Sequence, residues 1–238
     1  YVAGWVSSAT INSYDYSKMT HAYFSFLNMD ASGNIFTANA TYDNALAALN
    51  AQCQANNVKM IFSVGGATWS GNFQGIAQSA TARVNFGNEC VRWINMYPNT
   101  CYGVDIDWEF PHTKYGSGTT EVNNLLSVVR SKLDSLEGVT GRHYEMGMAV
   151  GGEDHINHTN GYNAETFGYL DHLMMMTYDA PVGTYGHHSN LLFLNENISR
   201  WQAQGCPASK LCAGIAFYTQ CPSYTAYNSF AAGDPAAY

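Results

Sequence analysis

The stretch YGVDIDWEFP, residues 102–111, alternates carboxylic acids with large apolar residues. Its acids are Asp105, Asp107 and Glu109. Such alternation predicts a β-strand, and because successive side chains of a strand point to opposite faces, the three carboxyl groups should share one face. Same-face neighbours lie about 6.6 Å apart along a strand, so like charges there raise one another's pKa. A strand that served stability alone would not carry this pattern.

The three acids have a plain structural alternative, in which cations or backbone donors neutralise a buried cluster. Burying carboxylates without such partners is costly, and the motif contains no basic residue. Stacked acids instead share protons, so that the outermost can stay partly protonated at neutral pH and act as a general acid. Glu109, as the last strand residue before the Phe110–Pro111 exit, is predicted to be that acid, in a reaction that cleaves an acetal.

Apolar runs and helical patterns alternate along the rest of the chain. Most of the runs are apolar throughout, as strands buried on both faces are. Seven strands alternating with helices predict an α/β fold with a parallel sheet, closed or doubly wound, whose active site gathers at the carboxyl ends of the strands. The predicted strands are residues 1–8, 21–28, 59–66, 102–109, 144–152, 172–179 and 211–219. The predicted helices are residues 42–57, 81–98, 121–136 with Gly138 as the stop, and 195–204.

Length and charge narrow the possible functions. The 238 residues contain no internal linker, so we predict a single catalytic domain over residues 1–238. A net charge of −8 argues against nucleic acid and anionic membranes as partners, and no apolar run is long enough to span a bilayer. We expect a monomer that needs no cofactor.

Cysteines and glycosylation sequons bear on the cellular compartment. Six cysteines without metal-finger spacing, and sequons at Asn39, Asn157 and Asn197, favour a secreted, disulfide-bonded glycoprotein whose signal peptide has been removed. Cys206 and Cys212 flank a short loop and are one candidate pair, but the sequence does not choose among the connectivities that six cysteines allow.

Other constellations carry weaker signals. His155, His158, His187 and His188 lie on candidate loops without a carboxylate at ligand spacing, so solvated histidines are favoured over a metal site, and we expect no metal. The chain has neither a phosphate-binding glycine motif nor the GxSxG of a serine hydrolase.

Several motifs, in order along essentially the whole chain, resemble those of glycoside hydrolase family 18, the chitinases. YGVDIDWEFP resembles the family's DxxDxDxE strand. FSVGG (62–66) is similar to its SxGG on the third strand, and MTYD (176–179) to its MxYD on the sixth. GHHSNL (186–191) and the approach to the last strand, GCPASKLCAGIAFYT (205–219), are similar as well. The resemblance implies a TIM (β/α)8 barrel.

The same resemblance implies a retaining, substrate-assisted mechanism acting on chitin or chitooligosaccharides. Glu109 would protonate the glycosidic oxygen while the substrate's own 2-acetamido oxygen attacks the anomeric carbon to give an oxazolinium. Asp107 would accept a hydrogen bond from the acetamido N–H and share a proton with Asp105. Tyr178 would donate its hydroxyl to the acetamido oxygen, and Asp179 would bind sugar hydroxyls.

The remaining motif residues have supporting roles. Ser63, Gly65 and Gly66 match the structural SxGG end of the third strand, and Met176 belongs to the substrate-binding MxYD motif. Trp69, just after the third strand, is a candidate sugar platform, with core packing as an equal alternative.

This sequence departs from the family pattern twice. Tyr102 stands where the family has its first Asp, and we expect the change to shift the pKa values of the inner acids without abolishing activity. No eighth strand and no Trp follow residues 211–219. We therefore expect an incomplete barrel, with residues 220–238 as the start of an insertion that one branch of the family carries between strands seven and eight.

Two other functions remain open. An endo-β-N-acetylglucosaminidase acting on N-glycans uses the same acids, and a non-catalytic chitinase-like lectin uses the same scaffold. Lectin relatives usually lose the acid at the position of Glu109, so its presence favours an enzyme.

Overall fold

A computed structural model of the chain describes residues 2–7, 9–152, 161–180 and 187–218. Seven parallel strands form one curled sheet in the order β1-β2-β4-β5-β6-β7-β8, and the short β3 pairs antiparallel with β2. The strands are β1 (Ala3–Ser7), β2 (His21–Met29), β3 (Ile35–Phe36), β4 (Lys59–Gly65), β5 (Cys101–Asp107), β6 (Glu145–Gly151), β7 (His172–Met176) and β8 (Leu211–Ala213). Within the described ranges, no eighth parallel strand joins β8 to β1, which confirms the predicted incomplete TIM barrel.

All four predicted helices form, within a few residues of their expected bounds. The helices are α1 (Ala40–Asn56), α2 (Gly66–Trp69), α3 (Phe73–Gln78), α4 (Ala80–Met96), α5 (Thr119–Thr140), α6 (Ala164–Tyr169) and α7 (Leu191–Ala203). The predicted helices correspond to α1, α4, α5 and α7, whereas α2, α3, α6 and the two-residue β3 were not predicted. Such short elements carry too few residues to show a hydrophobic period.

The predicted end of α5 is wrong. Gly138 lies inside the helix, on an exposed face where a Cβ would meet nothing within 4 Å. The helix continues to Thr140 and ends at Gly141, whose φ of 67° is left-handed and whose N–H donates to the Glu137 carbonyl at 2.7 Å. Glycine suits this left-handed position because it has no Cβ to clash, so the second glycine, not the first, stops the helix.

The last strand is shorter than the predicted residues 211–219. β8 keeps its register with β7 only over Leu211 to Ala213. At the next residue, a Cβ on Gly214 would lie 2.4 Å from the Met175 carbonyl oxygen. The absent side chain lets the two backbones approach closely there, after which the ladder ends.

The core lies mainly between the sheet and its helices. A smaller cluster of Tyr23, Ile61 and Met174 occupies the inner face of the curl. Trp5 stacks on Tyr23 with ring centroids 4.7 Å apart and covers this cluster. Ile61 and Ser63 are two residues apart on β4, so their side chains lie on the same face of the sheet. This apolar layer therefore lies on the same face as the site residues, nearer the amino ends of the strands.

A charged network occupies the amino ends of the inner strands. The carboxylate of Glu145, the first residue of β6, accepts hydrogen bonds from His21 and Lys59, the first residues of β2 and β4, and from His172, the first of β7. Glu145 is only 8% exposed. Nearby, the Tyr102 ring lies under the Lys59 ammonium, at 5.2 Å from its Nζ.

Two predictions about covalent chemistry are corrected. The five cysteines of the described residues are free, so Cys206 and Cys212 do not pair, and Cys221 lies outside those residues. Asn197 is buried, and its side-chain nitrogen donates to the carbonyls of Gly152 and Phe193, so a glycan has no access in the folded chain. The Asn39 sequon is exposed as the N-cap of α1, and Asn157 lies outside the described residues.

No helix in the described part of the chain has the length and apolar character needed to cross a membrane. Residues 220–238, predicted to begin an insertion, also lie outside the described residues.

Candidate active site

The three acids follow one another at the carboxyl end of β5. The prediction that Glu109 is the last strand residue is wrong, because β5 ends at Asp107. The ladder to β4 ends at the pair Gly65 and Asp107. Two residues later, the Glu109 N–H donates to Ser70 Oγ at 2.9 Å instead of to a neighbouring strand. The alternation of acidic and apolar residues continues past the last hydrogen-bonded pair, so the sequence pattern predicted a strand end two residues too late.

Asp105 is the innermost acid and is fully buried. Its Oδ2 accepts a hydrogen bond from Ser63 Oγ at 2.6 Å, whereas its Oδ1 has no partner among the described residues. Burial raises the pKa of this carboxyl to about 7, although the Ser63 bond and the charge of His172 oppose the rise. Asp105 therefore holds a proton much more readily than an exposed aspartic acid.

Asp107 lies one step nearer the rim and is 3% exposed. Burial raises its pKa well above the ordinary value, and the charges of Asp105 and Glu109 raise it further. The Asp107 and Glu109 side chains share a hydrogen bond, which requires a proton on one of them. The column is therefore a proton-sharing set of carboxyl groups.

Glu109 is half-buried at the rim. Burial raises the pKa of its carboxyl and the charge of Asp179 adds to the rise, whereas the bond to Asp107 and the charge of Lys114 oppose it. A raised pKa lets the Glu109 carboxyl hold its proton to higher pH than an exposed glutamic acid does, which favours its use as a general acid.

The glycines of FSVGG permit close contact between the β4 exit and β5. Gly65 and Gly66 have φ values of 107° and 79°, which glycine adopts readily. A Cβ on Gly65 would lie 2.3 Å from the Asp107 carbonyl oxygen, and one on Gly66 would lie 2.9 Å from the Phe26 ring. A side chain at position 65 would push the chain away from the acid strand, and one at position 66 would clash with the Phe26 ring of β2.

The MTYD residues lie at the end of β7, which stops at Met176 and not at residue 179. Tyr178 is half-buried, and burial together with the charges of Asp107 and Glu109 raises the pKa of its hydroxyl, which stays protonated and able to donate. Asp179 is exposed and left-handed, with φ of 62°, and accepts a hydrogen bond from the Tyr218 hydroxyl at 2.7 Å. Met176 is partly buried beside them.

Trp69 lies at the end of α2, just beyond β4, and is partly buried. Its ring lies 5.7 Å from the ring of Tyr42 at the start of α1, with the planes tilted by 56°. Tyr42 in turn packs edge-on against Phe24. Trp69 thus packs at the edge of the core with part of its surface open, which leaves both roles that the sequence allowed.

The structure describes two of the four histidines that the sequence placed on loops. His187 and His188 stack on one another, and His188 Nδ1 accepts a hydrogen bond from the Asp179 N–H at 3.3 Å. In the ranges that the structure describes, no group of three or more His, Cys, Asp or Glu side chains is arranged to hold a metal ion. His155 and His158 lie outside those ranges.

Three residues of the site were not singled out from the sequence. Ser70 contacts the Glu109 backbone, Tyr218 contacts Asp179, and the buried Tyr162 lies close enough to Asp107 for that charge to raise the pKa of its hydroxyl further, beyond the effect of burial. Tyr218 could have been found, since it lies near the end of the last predicted strand, residues 211–219, on the active-site side. Ser70 and Tyr162 carry no local pattern.

This arrangement combines a half-buried acid, two buried acids beneath it and a protonated phenol. The upper acid can deliver a proton to a leaving group, and the middle acid can accept a hydrogen bond from a bound amide or stabilise a nearby positive charge. An acidic column at the carboxyl end of a strand lies where β/α-barrel enzymes have their active sites. The model of the glycosyl hydrolases family 18 matches residues 1–229, and the chain belongs to this family, as its motifs indicated.

Similar proteins agree with this assignment. The chain is 29% identical over 242 residues to Chitinase 1 of Aphanocladium album, covering 85% of this chain and 55% of that one. Among solved structures, a glycoside hydrolase family 18 N-acetylglucosaminidase from Paenibacillus barengoltzii has a TM-score of 0.75 at 28% identity, covering 91% of this chain and 68% of that one. A chitinase-like agglutinin from Robinia pseudoacacia shares the fold, with a TM-score of 0.74 at 23% identity and coverage of 90% and 68%. The chain spans about half the length of the Aphanocladium relative.

Proposed function

We propose that this protein hydrolyses β-1,4-linked N-acetylglucosamine polymers, either chitin or chitooligosaccharides, with retention of anomeric configuration. The observation that carries the proposal is the column of Asp105, Asp107 and Glu109, in which burial raises the pKa of each carboxyl. Membership of the glycosyl hydrolases and likeness to a chitinase support the choice of substrate.

In the proposed reaction, the acetamido group of the substrate is the nucleophile. The Glu109 carboxyl gives its proton to the glycosidic oxygen as the bond from that oxygen to the anomeric carbon breaks. The acetamido carbonyl oxygen attacks the same carbon and forms an oxazolinium. Water then opens this ring and returns a proton to Glu109.

The inner residues act on the acetamido group in this proposal. Asp107 accepts a hydrogen bond from the acetamido N–H and stabilises the positive charge of the oxazolinium, while Asp105 shares its proton. The Tyr178 hydroxyl donates to the acetamido oxygen, a role supported by its raised pKa. A substrate lacking the acetamido group would leave these buried groups without partners, so the proposal requires an N-acetylated sugar.

The outer residues bind the rest of the sugar. Asp179 is exposed and so placed to accept hydrogen bonds from sugar hydroxyls, Met176 offers an apolar contact beside it, and Trp69 offers an aromatic face at the β4 side of the rim. Stacking of a sugar on such a ring is supported by its partial exposure.

The test measures release of a fluorophore from chitobioside and chitotrioside conjugates by the natural protein and by Glu109→Gln. Gln keeps the shape and loses the proton, so we expect kcat to fall by a factor of about 100 or more. A matched control is Glu196→Gln, on the outer surface of α7, where the carboxylate lies 3.9 Å from Arg200. This variant should keep the natural rate.

Three outcomes separate the candidate functions. Turnover that is lost only in Glu109→Gln supports the proposal. Oligosaccharide binding without turnover by the natural protein would instead assign a lectin, the alternative raised by the Robinia agglutinin fold. Release of N-glycans from a glycoprotein, without action on the conjugates, would assign an endo-β-N-acetylglucosaminidase.

A further inference from the structure

The position of Glu109 is not fixed by the sheet. β5 ends at Asp107, and neither Trp108 nor Glu109 takes part in the ladders to the neighbouring strands. A side chain that must deliver a proton needs a fixed backbone, since a misplacement of about 1 Å can reduce a rate by about 100-fold. The contacts that replace the ladder therefore matter for the proposed chemistry.

The replacement contacts converge on Ser70, which is fully buried. Its Oγ accepts a hydrogen bond from the Glu109 N–H at 2.9 Å. The same oxygen lies 3.0 Å from the Asp107 carbonyl oxygen and 2.8 Å from the Gly66 carbonyl oxygen. The single hydroxyl proton can be donated to either of these two acceptors. One hydroxyl thus joins the exit of β4 to the backbone on both sides of Trp108.

A second contact holds the residue between the two acids. Trp108 is fully buried and stacks on Phe73, with ring centroids 5.4 Å apart and planes 25° from parallel. Phe73 begins α3, three residues after Ser70. The segment from Ser70 to Phe73 therefore contacts residues 107, 108 and 109 in turn, through a hydroxyl and a ring.

We infer that Ser70 is a positioning residue for Glu109: its hydroxyl accepts a hydrogen bond from the Glu109 N–H and contacts the Gly66 and Asp107 carbonyl oxygens with its own proton, which fixes the backbone of the rim acid relative to Asp107 and the exit of β4. The inference rests on the proposed role of Glu109 as general acid. Ser70 is fully buried behind residues 107–109, so it affects the position of the acid without contacting the sugar. Its removal should slow the chemical step and leave substrate binding nearly unchanged.

The experiment compares the natural protein with Ser70→Ala, Ser70→Thr and Ser117→Ala on the chitobioside conjugate. Ser117 is a matched control, because it is 1% exposed and its hydroxyl has no hydrogen-bond partner among the described residues. We expect kcat of Ser70→Ala to fall by at least about tenfold with KM within about twofold. Ser70→Thr, which retains the hydroxyl, should recover most of the rate, and Ser117→Ala should match the natural protein.

Unchanged kcat in Ser70→Ala would overturn the inference, as would equal losses in the Ala and Thr variants, which would assign the effect to packing. Should Ser70→Ala not fold, Ser70→Cys replaces it with the same expectation, since a thiol is a weak donor and acceptor. Crystal structures of the natural protein and the variant test the inference even without turnover. A Glu109 backbone displaced relative to Asp107 supports it, and an unmoved one overturns it.

Discussion

Single residues at the carboxyl end of β5 differ in how much the sequence reveals about them. The alternation that places Asp105 and Asp107 on one face is a local property, so it can be predicted from ten residues. The contact between Glu109 and Ser70 joins residues 39 positions apart, and nothing near Ser70 indicates it. The shared face of Asp105 and Asp107 was therefore predictable, whereas the residue proposed to position Glu109 was not.

Tyr102 is the residue that departs from the family pattern, and its surroundings suggest how it is accommodated. Its ring lies 5.2 Å from the Lys59 Nζ and 4.6 Å from the Arg142 guanidinium carbon, at the amino end of β5. Two cations here would otherwise favour an acid. The aromatic face offers them a weaker attraction without adding a negative charge beneath Asp105.

We predict that Tyr102→Asp changes the pH–rate profile more than the maximal rate. A new negative charge on β5 should raise the pKa of Asp105, moving the acidic limb to higher pH by less than about one unit, because Lys59 and Arg142 screen it. We expect kcat to stay within about fivefold, since a screened charge at this end perturbs the reacting groups by less than about 1 kcal/mol. Tyr102→Phe, which keeps the ring, should leave the profile unchanged. A loss of 100-fold in Tyr102→Asp would contradict this expectation.

At the level of elements, the exit of β4 limits what can change near the acid strand. Sequence reasoning identified the glycine pair of FSVGG by resemblance, and the geometry supplies the physical cause. Two features of Gly65 exclude a side chain: its φ is 107°, and a Cβ there would lie only 2.3 Å from the Asp107 carbonyl oxygen. The length of β5 and the short helix α2 that follows β4 depend on this packing, which is why local patterns did not give their bounds.

Gly65→Ala is therefore expected to destabilise the fold by at least about 2 kcal/mol, through backbone strain and a clash with the Asp107 carbonyl. Guanidinium unfolding at neutral pH measures the change. Gly75→Ala is the control, since Gly75 lies in α3 with nothing within 4 Å of a new Cβ. It should be neutral or slightly stabilising because alanine favours helix. Equal stability of the two variants would show that the β4 exit tolerates a side chain.

Across the whole molecule, the amino ends of four strands are tied together by the Glu145 network. Its members are far apart in sequence, with His21 and Glu145 separated by 124 positions, so no motif could have predicted it. Burial alone would raise the pKa of Glu145, but the hydrogen bonds from His172, His21 and Lys59 hold it well below its ordinary value. Burial alone would lower the pKa of His172, but bonds to Cys212 and Glu145 raise it to about 9.

These pKa shifts limit the pH range over which the network stabilises the fold. The contribution of Glu145 to stability is present above its ordinary pKa of 4.5 and lost as the pH falls below it. The contribution of His172 is fully present below 6.5 and lost as the pH rises through about 9. The network therefore stabilises the fold most between about pH 4.5 and 6.5.

We predict that Glu145→Gln lowers the free energy of unfolding by about 3 kcal/mol at pH 6, because it removes the buried carboxylate that both Lys59 and His172 contact. The difference from the natural protein should shrink by pH 10, where His172 is neutral. Urea titrations between pH 5 and pH 10 measure both effects. Glu137→Gln, which removes a surface partner of His143, should cost less than about 1 kcal/mol. A cost that is independent of pH would show that His172 does not contribute through its charge.

The charge of His172 also lowers the pKa of Asp105, because both residues pair with Gly147 of β6, which has no side chain to separate them. A substitution in the amino-end network can therefore change the pKa values of the acids while every side chain proposed to contact the sugar stays the same. Substitutions in the Glu145 network could therefore adapt the protein to a more acidic or more alkaline environment. Engineers seeking such variants would alter this network before the residues around Glu109.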